Sequence, residues 1–267
     1  MATKEKISQV ARLYKDHSSV QYEIGQDLIA SHMRPFPGQT VLDLGCGTGS
    51  LARNIGSAVA KQGRVLGVDP NTERIAVARE EERHCSESHQ RNVKFMTGLV
   101  HDAVQHGPFD AVFSNFALHW VPEDDTDASV SSIVKCLKPG GRLCATLTRG
   151  TGGYANQLSL FVNGRSEESA TGMHLRPLNY WTSKLKQAGL CIEHAEQEED
   201  TTGKFPSIRS YFEFVKAYTE AAIDYESVNA DDLADFISNQ GLGSLDSPFV
   251  CVATILTIIA SKPSLEH

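Results

Sequence analysis

The chain has 267 residues, 40% hydrophobic and 22% charged, the profile of a globular protein of one or two domains. Its 25 Lys and Arg against 33 Asp and Glu leave a formal charge of -8, without the basic excess by which proteins hold nucleic-acid phosphates. Six cysteines stand at 46, 85, 136, 144, 191 and 251, with no C-x-x-C pair among them, which argues against a disulfide-stapled secreted scaffold. The N-terminus MATKEKISQVARLYKD has no apolar signal region, and the longest apolar run, Phe249 to Ala260, falls short of a membrane span. These features lead us to expect a cytoplasmic protein with reduced thiols and neither membrane nor nucleic acid as a partner.

Residues 3–34 read as helical, with Ile7, Val10, Ala11 and Tyr14 at helix spacing and a second run from Val20 to Met33. Pro35-Phe36-Pro37-Gly38 stops them. Short β-branched runs then alternate with helical stretches. Strands are predicted at Thr40–Leu44, Arg64–Asp69, Val93–Thr97, Phe109–Ser114 and Arg142–Thr148. Helices are predicted from Gly49 through Lys61, over Thr72–Cys85 and over Asp127–Leu137, with Glu123-Asp124-Asp125 suited to a helix start and Lys138-Pro139-Gly140-Gly141 a turn. This alternation implies parallel βαβ units with right-handed crossovers. Gly150 to Arg176 reads as a Gly-, Ser- and Asn-rich connection with an apolar centre at Leu158, Leu160 and Phe161. A helix follows at Leu178–Ala188, a strand at Leu190–Ala195 and an acidic solvated loop at Glu196–Asp200. Helices are then expected within Pro206–Asp224 and over Ala230–Asn239, with a closing strand at Cys251–Ala260.

The strongest chemical signal is Val41-Leu42-Asp43-Leu44-Gly45-Cys46-Gly47-Thr48-Gly49, a buried strand feeding a glycine loop that opens a helix. Such a loop lets a ligand press against the backbone at free N–H groups. The dinucleotide fingerprint G-x-G-x-x-G is not met, because Ser50 stands where it requires glycine. Asp69, twenty residues past Gly49 at the tip of the second strand, can accept both hydroxyls of a ribose. Together they describe a pocket for an adenosine with a short polar tail.

These segments resemble class I S-adenosylmethionine-dependent methyltransferases. The resemblance covers about residues 39–148 and rests on Asp43 to Gly49, Asp69, Phe109-Asp110-Ala111-Val112 and Leu137-Lys138-Pro139-Gly140-Gly141. It implies a doubly wound, mostly parallel seven-stranded sheet whose last strand runs antiparallel. It also implies that Asp43 and the loop Gly45, Cys46, Gly47 and Gly49 hold the methionine end and that Asp69 with Pro70 holds the ribose. Tyr14, Ser114 and Asn115 are further cofactor candidates. The family often carries an acid after the third strand, where this chain has Thr97-Gly98-Leu99-Val100. Adenine contacts are then expected from Leu99 and Val100, or from Asp102 if the loop curls back.

A finer resemblance lies in Tyr14-Lys15-Asp16-His17-Ser18-Ser19-Val20-Gln21 and Phe113-Ser114-Asn115-Phe116-Ala117-Leu118-His119-Trp120-Val121. Both are similar to the juvenile hormone acid and farnesoic acid O-methyltransferases, which methylate a small-molecule carboxylate. By that resemblance Gln21 and Trp120 bind the carboxylate, and Asn115-Phe116 replaces residues more usually aromatic. The physics agrees, since a carboxylic acid with a pKa of roughly 4–5 is already an anion at neutral pH and needs no base. Its oxygen needs only to be held about 3 Å from the methyl group and stripped of water. For a phenol or amine acceptor, His119 would be the base candidate.

Each of these residues also has a plainer reading. Trp120 can plug the end of the sheet, Gln21 can be solvated on a helix face and His119 can be a packing residue. The stripe Ile208, Tyr211, Phe212, Val215 and Tyr218 is a buried helix face that, with Tyr211, can also line an acyl pocket. His84-Cys85 with His89 is poorly spaced for tetrahedral zinc, so no metal is expected.

The expectation is one α/β domain over residues 1–267. It comprises an N-terminal helical cap at 1–34, a cofactor-binding core at 39–148, substrate and lid insertions at 149–245 around the sixth strand, and a closing segment at 249–261. Its expected chemistry is methyl-ester formation on a small lipophilic acid, with S-adenosylmethionine as donor and S-adenosylhomocysteine as product, in a monomer or homodimer. The alternatives are methyl transfer to a phenol, ring carbon or amine, and a non-catalytic cofactor-binding module.

Overall fold

The computed structural model describes residues 11–12, 14–15, 18–85, 92–150 and 153–264, with only the backbone of 85 and 200–202. Ile7, Val10, Asp16, His17, His89 and the terminal 265–267 lie outside the described residues. The elements, in chain order, are α1 (Ser19–Leu28, continued by a π turn Ile29–Met33), β1 (Thr40–Leu44), α2 (Ser50–Val59), β2 (Arg64–Asp69), α3 (Thr72–Cys85), β3 (Val93–Thr97) and α4 (Val100–Ala103). They continue with β4 (Phe109–Asn115), α5 (Glu123–Cys136), β5 (Leu137–Thr148), α6 (Tyr154–Asn163), α7 (Glu167–Thr171) and α8 (Leu178–Gln187). The last are β6 (Cys191–Phe205), α9 (Ile208–Tyr218), α10 (Ala230–Asn239) and β7 (Phe249–Ser261).

The seven strands form one sheet in the order β3-β2-β1-β4-β5-β7-β6. β1 pairs in parallel with β2 on one side and β4 on the other, so every residue from Val41 to Leu44 is buried. That position explains the unbroken apolar run, interrupted only by Asp43, since a central parallel strand is covered on both faces. The chain winds outward through β2 and β3, then returns to β4 across β1. This reversal opens a crevice at the carboxyl ends of β1 and β4, where doubly wound sheets bind ligands. β7 runs antiparallel to β5, with Gly140 N–H donating to Lys262 O and Lys262 N–H to Gly141 O, each at 2.9 Å.

The chain separates into two compact units. One comprises 21–147, 176–197 and 256–267, and holds the parallel strands between two apolar layers. Leu42, Val68, Val112 and Leu143 pack with Ile133 of α5 and Trp181 and Leu185 of α8, while Val41, Val65 and Phe113 pack with Leu28, Ile55 and Ile75 of α1, α2 and α3. The alternation of residues 41 and 42 between the layers is the period of two that a strand imposes. The other unit comprises 1–20, 148–175 and 198–255 and centres on aromatic side chains. There Tyr211 is buried against Phe249, with ring centroids 4.5 Å apart, and against Phe205 at 5.3 Å. The Tyr218 hydroxyl donates to the buried Glu167 carboxylate at 2.6 Å, and burial raises the pKa of that carboxyl.

Three segments differ from their sequence reading. Residues 138–141 do not end a helix in a free turn; they bulge within β5, where Leu137 pairs with Phe109 and Arg142 with Ala111. The acidic run at 196–200 belongs to β6, whose edge position leaves Glu196, Glu198 and Glu199 exposed. Charges on an edge strand keep it from pairing with other chains. Residues 150–176 contain α6 and α7, with Gly153 and Gly164 in left-handed conformations at the two ends of α6. Glycines that made this segment look like loop are helix caps.

Asp110 joins three pieces of the sheet. One carboxylate oxygen accepts from the Thr40 N–H and hydroxyl, each at 2.7 Å, and the other from Lys138 Nζ in the bulge at 2.8 Å. Burial works against the charge, but the Lys138 and Thr40 hydrogen bonds prevail and hold the carboxyl below its ordinary pKa. Asp110→Ala is expected to cost about 1–3 kcal/mol at neutral pH in urea unfolding, discounted toward the lower end because the pair is partly exposed. Since the folded-state pKa is depressed, this contribution is lost as pH falls through it, and variant and wild type should converge below the usual carboxylate range.

Candidate functional site

The glycine loop is fastened to β2 before any ligand enters. Gly45 and Cys46 both donate their N–H to Val68 O, at 2.7 and 3.1 Å, and Gly49 N–H closes the loop onto Cys46 O at 2.9 Å. Gly45 has φ +78°, and a Cβ there would lie 2.1 Å from Cβ of Ala117. Gly49 has φ +81°, and its Cβ would lie 2.5 Å from the Phe95 ring. Both positions therefore exclude a side chain on two grounds, left-handed backbone and close packing. Asp69, buried at the tip of β2, accepts from Gly47 N–H through one oxygen and Asn71 N–H through the other, each at 2.9 Å. Asn71 in turn caps α3 through Glu73 and Arg74 N–H. Pro70, between them, is exposed.

Asp43 lies beside this arrangement, 2% exposed, with Oδ2 unpartnered. Desolvation, with the neighbouring Asp69 charge adding to it, pushes its pKa up to about 8. Burial also raises the Cys46 thiol, helped by the same two carboxylates, so the sulfur stays protonated. At the end of β3, Gly98 N–H donates to Asp69 O at 3.1 Å. Leu99 then opens α4, and Asp102 Oδ2 accepts from its N–H at 2.9 Å as a local cap of that helix. The Leu99 side chain is half exposed, while Val100 is buried in the core.

The end of β4 carries the other candidates. Ser114 Oγ donates to Leu44 O at 3.0 Å, and Asn115 Nδ2 to Gln21 O at 2.9 Å, so both side chains are engaged with the protein's own backbone. Phe116 then turns the chain with φ +54°, leading into the 3-10 turn Leu118–Trp120. His119 is buried there with Nδ1 unpartnered, its ring 5.6 Å from that of Trp120 and 6.3 Å edge-on to Phe116. Burial lowers its pKa to about 3, so the imidazole is neutral at physiological pH. Gln21 reaches the same end of the sheet through the Asn115 bond, with Oε1 buried and unpartnered. Tyr14 and Tyr211 belong to the other unit.

The sequence reading overlooked four supporting residues. Phe95 and Ala117 form the walls against which Gly49 and Gly45 close, and Arg53 braces the loop by donating Nη2 to Thr48 O at 3.1 Å. Thr146 donates to Asn115 Oδ1 at 2.7 Å. These residues act by packing or by a single hydrogen bond, and such roles carry no motif.

Residues 41–141 match a family model described as a methyltransferase domain. The chain is 32% identical over 132 residues to phosphoethanolamine N-methyltransferase 2 of Caenorhabditis elegans, covering 49% of this chain and 29% of that protein. It is 31% identical over 157 residues to a ubiquinone/menaquinone biosynthesis C-methyltransferase of Vibrio campbellii, covering 54% of this chain and 58% of that one. The chain thus spans between about a third and three fifths of the length of these curated relatives. Its fold is similar to that of phosphoethanolamine N-methyltransferase 2 of Haemonchus contortus in complex with S-adenosyl-L-methionine. That similarity has a TM-score of 0.60 and 20% identity, covering 96% of this chain and 57% of the other.

The residues present fit that cofactor. Asp43 holds an unpaired carboxyl oxygen of the kind an ammonium group could use, Gly45 and Gly49 exclude side chains from the loop, and the Asp69 carboxylate is held in place by two backbone N–H groups. The raised pKa of Asp43 means the folded protein binds an extra proton between the ordinary carboxylate range and about pH 8, so this group's contribution to stability falls as pH rises through that window. Asp43→Asn is therefore expected to raise the thermal midpoint of the ligand-free protein above pH 8, leave it near wild type at pH 5, and weaken S-adenosylmethionine binding about tenfold or more in calorimetry.

Proposed function

We propose that this chain, whose residues 41–141 match a methyltransferase-domain model, is a class I S-adenosylmethionine-dependent methyltransferase that methylates the carboxylate of a small lipophilic acid such as farnesoic acid. The observation that carries the reading is the state of His119. This buried imidazole, with a pKa near 3, is too weak a base to deprotonate a phenol or an ammonium at neutral pH. An acceptor that is already an anion requires no such base.

Held in this site, S-adenosylmethionine would supply an electrophilic methyl group on a sulfonium, with a neutral thioether as the leaving group for attack by an acceptor oxygen. This chain's part is to bind, orient and dehydrate the acceptor. Asp43, the Gly45–Gly49 loop and Asp69 hold the donor. Gln21 and Trp120 offer neutral N–H donors that can orient a carboxylate without trapping it as an ion pair. Gln21 is half-buried with its Oε1 buried and unpartnered, so the Nε2 donor reaches a carboxylate from this position once the amide turns by half a rotation. Phe116 and Trp120, both partly exposed, supply apolar surface suited to a lipophilic acceptor. The curated relatives named above are described as N- and C-methyltransferases, so amines and activated ring carbons are the competing acceptors.

Methyl-labelled S-adenosylmethionine incubated with farnesoic, fatty, aconitic and aromatic acids, and with phenols, amines and quinols, decides among them. A base-labile labelled ester on a lipophilic acid is the expected result; label confined to amines, phenols or ring carbons overturns the carboxylate assignment. On the acid, Gln21→Ala should lower turnover about tenfold while leaving cofactor affinity within about threefold. At saturating S-adenosylmethionine, which removes the effect of Asp43 titration on cofactor binding, the rate should be flat between about pH 6 and 8, whereas a rise of about tenfold per unit would demand a base.

A further inference from the structure

We infer that Asn115 and Thr146 form a positioning pair that sets Gln21 by fastening the first turn of α1 to the ends of β4 and β5, an inference that rests on the acceptor role proposed for Gln21. Asn115 and Thr146 are direct register partners on neighbouring parallel strands. Thr146, 2% exposed, donates its hydroxyl to Asn115 Oδ1 at 2.7 Å, and Asn115 Nδ2 donates to Gln21 O at 2.9 Å.

The order of donors gives each residue a separate task. An asparagine amide can rotate by half a turn and exchange its oxygen and nitrogen. The Thr146 hydroxyl holds the oxygen on its own side, so the NH2 group faces the Gln21 carbonyl. Without that hydroxyl the flipped amide would set oxygen against oxygen. The Thr146 backbone is itself held, its carbonyl accepting from Phe116 N–H at 3.0 Å. Phe116 opens the turn that carries His119 and Trp120, so one threonine is bonded to both sides of the proposed carboxylate site.

Gly25 shows how closely α1 is drawn down. It lies one turn after Gln21, and a Cβ there would sit 2.4 Å from Leu51 and 3.1 Å from Asn115 Nδ2. A glycine inside a helix costs stability relative to alanine, so its presence here is explained by the close approach. The helix is seated at its C-terminal end by Leu28 in the core and at its first turns by the Gly25 contact and the Asn115 hydrogen bond. In this arrangement Asn115 acts on the acceptor through Gln21, and Thr146 acts through Asn115.

Hydrogen exchange on the full-length protein, with calorimetry of S-adenosylmethionine binding and turnover of farnesoic acid, tests the pair. The near-isosteric Asn115→Asp removes the donor to Gln21, Thr146→Val removes the hydroxyl, and Thr146→Ser restores it. Asn115→Asp and Thr146→Val are expected to speed amide exchange in residues 23–28 about tenfold, with residues 52–59 of α2 unchanged, and Thr146→Ser to return it to wild type. Cofactor affinity should stay within about threefold while kcat/KM for farnesoic acid falls about tenfold, and Gln21→Ala combined with Thr146→Val should be no slower than Gln21→Ala alone. Exchange in 23–28 that is unaltered, or altered equally throughout the chain, overturns the pair as a positioning device; so do losses that multiply in the double variant. Where another acid of the panel is the better substrate it replaces farnesoic acid in the assay; if wild type esterifies no lipophilic acid, the acceptor assignment fails, and the exchange result alone decides whether the pair fixes α1.

Discussion

The site depends on where the Asp69 carboxylate is held. Its two oxygens receive N–H groups from opposite sides, Gly47 in the loop after β1 and Asn71 at the start of α3, and so join two consecutive strand–helix crossings at one buried point. Charge-assisted hydrogen bonds of this kind are among the stronger ones available to a folded chain. They fix the loop in a shape the glycines alone would leave free, because left-handed residues at 45 and 49 have many alternatives until something selects one. The β3 connection is drawn into the same point through Gly98 N–H and the Asp69 carbonyl.

That fixation brings an opposing cost. Holding Asp69 charged within the loop raises the penalty for ionising Asp43, already buried on β1. The ligand-free site thus contains a carboxyl whose charged form the fold disfavours, together with unpartnered buried polar atoms on Asp43, Gln21 and His119. Buried polar groups in stable proteins are nearly always satisfied. Unpartnered atoms also occur on Ser159, Arg176, Trp181 and His194, but those on Asp43, Gln21 and His119 share the carboxyl ends of β1 and β4, and stability away from the site must compensate for them. Much of that compensation is apolar, in the two layers on the sheet, with Asp110 knitting β1, β4 and the β5 bulge.

The second half of the site is held by different means. Around β1 and β2 the backbone supplies most of the bonds, whereas at the end of β4 side chains do so, with Ser114 joined to Leu44 O and Asn115 to Gln21 O. A backbone cradle tolerates few changes because glycine and the peptide group have no substitutes. A side-chain latch can be altered one residue at a time. This difference suits a donor half that serves one cofactor and an acceptor half that differs between enzymes sharing the fold.

How much could be read from the sequence follows from the same distinction. β1, β2 and β3 were legible to the residue and α3 and α10 in approximate bounds, because short β-branched runs and amphipathic helices are bounded by turn signals. Asp43, the glycine loop and Asp69 were legible because backbone chemistry demands particular residue types at particular spacings. The bulge at 138–141, the acidic stretch of β6 and the glycine-capped α6 were misread, since in each the local composition suggested loop while pairing with a neighbour or packing of one face made an element. The weak basicity of His119, the engagement of Ser114 and Asn115 with backbone carbonyls, and the part taken by Thr146 are likewise absent from any local pattern. The amino-acid order alone determined the winding of the sheet and the make-up of the proposed cofactor half of the site, because those rest on periodicity and on glycine and carboxylate at set intervals. Only the tertiary structure decided which polar groups are spent on the protein and which are left over, because burial and hydrogen-bond partners are properties of residues distant in the chain.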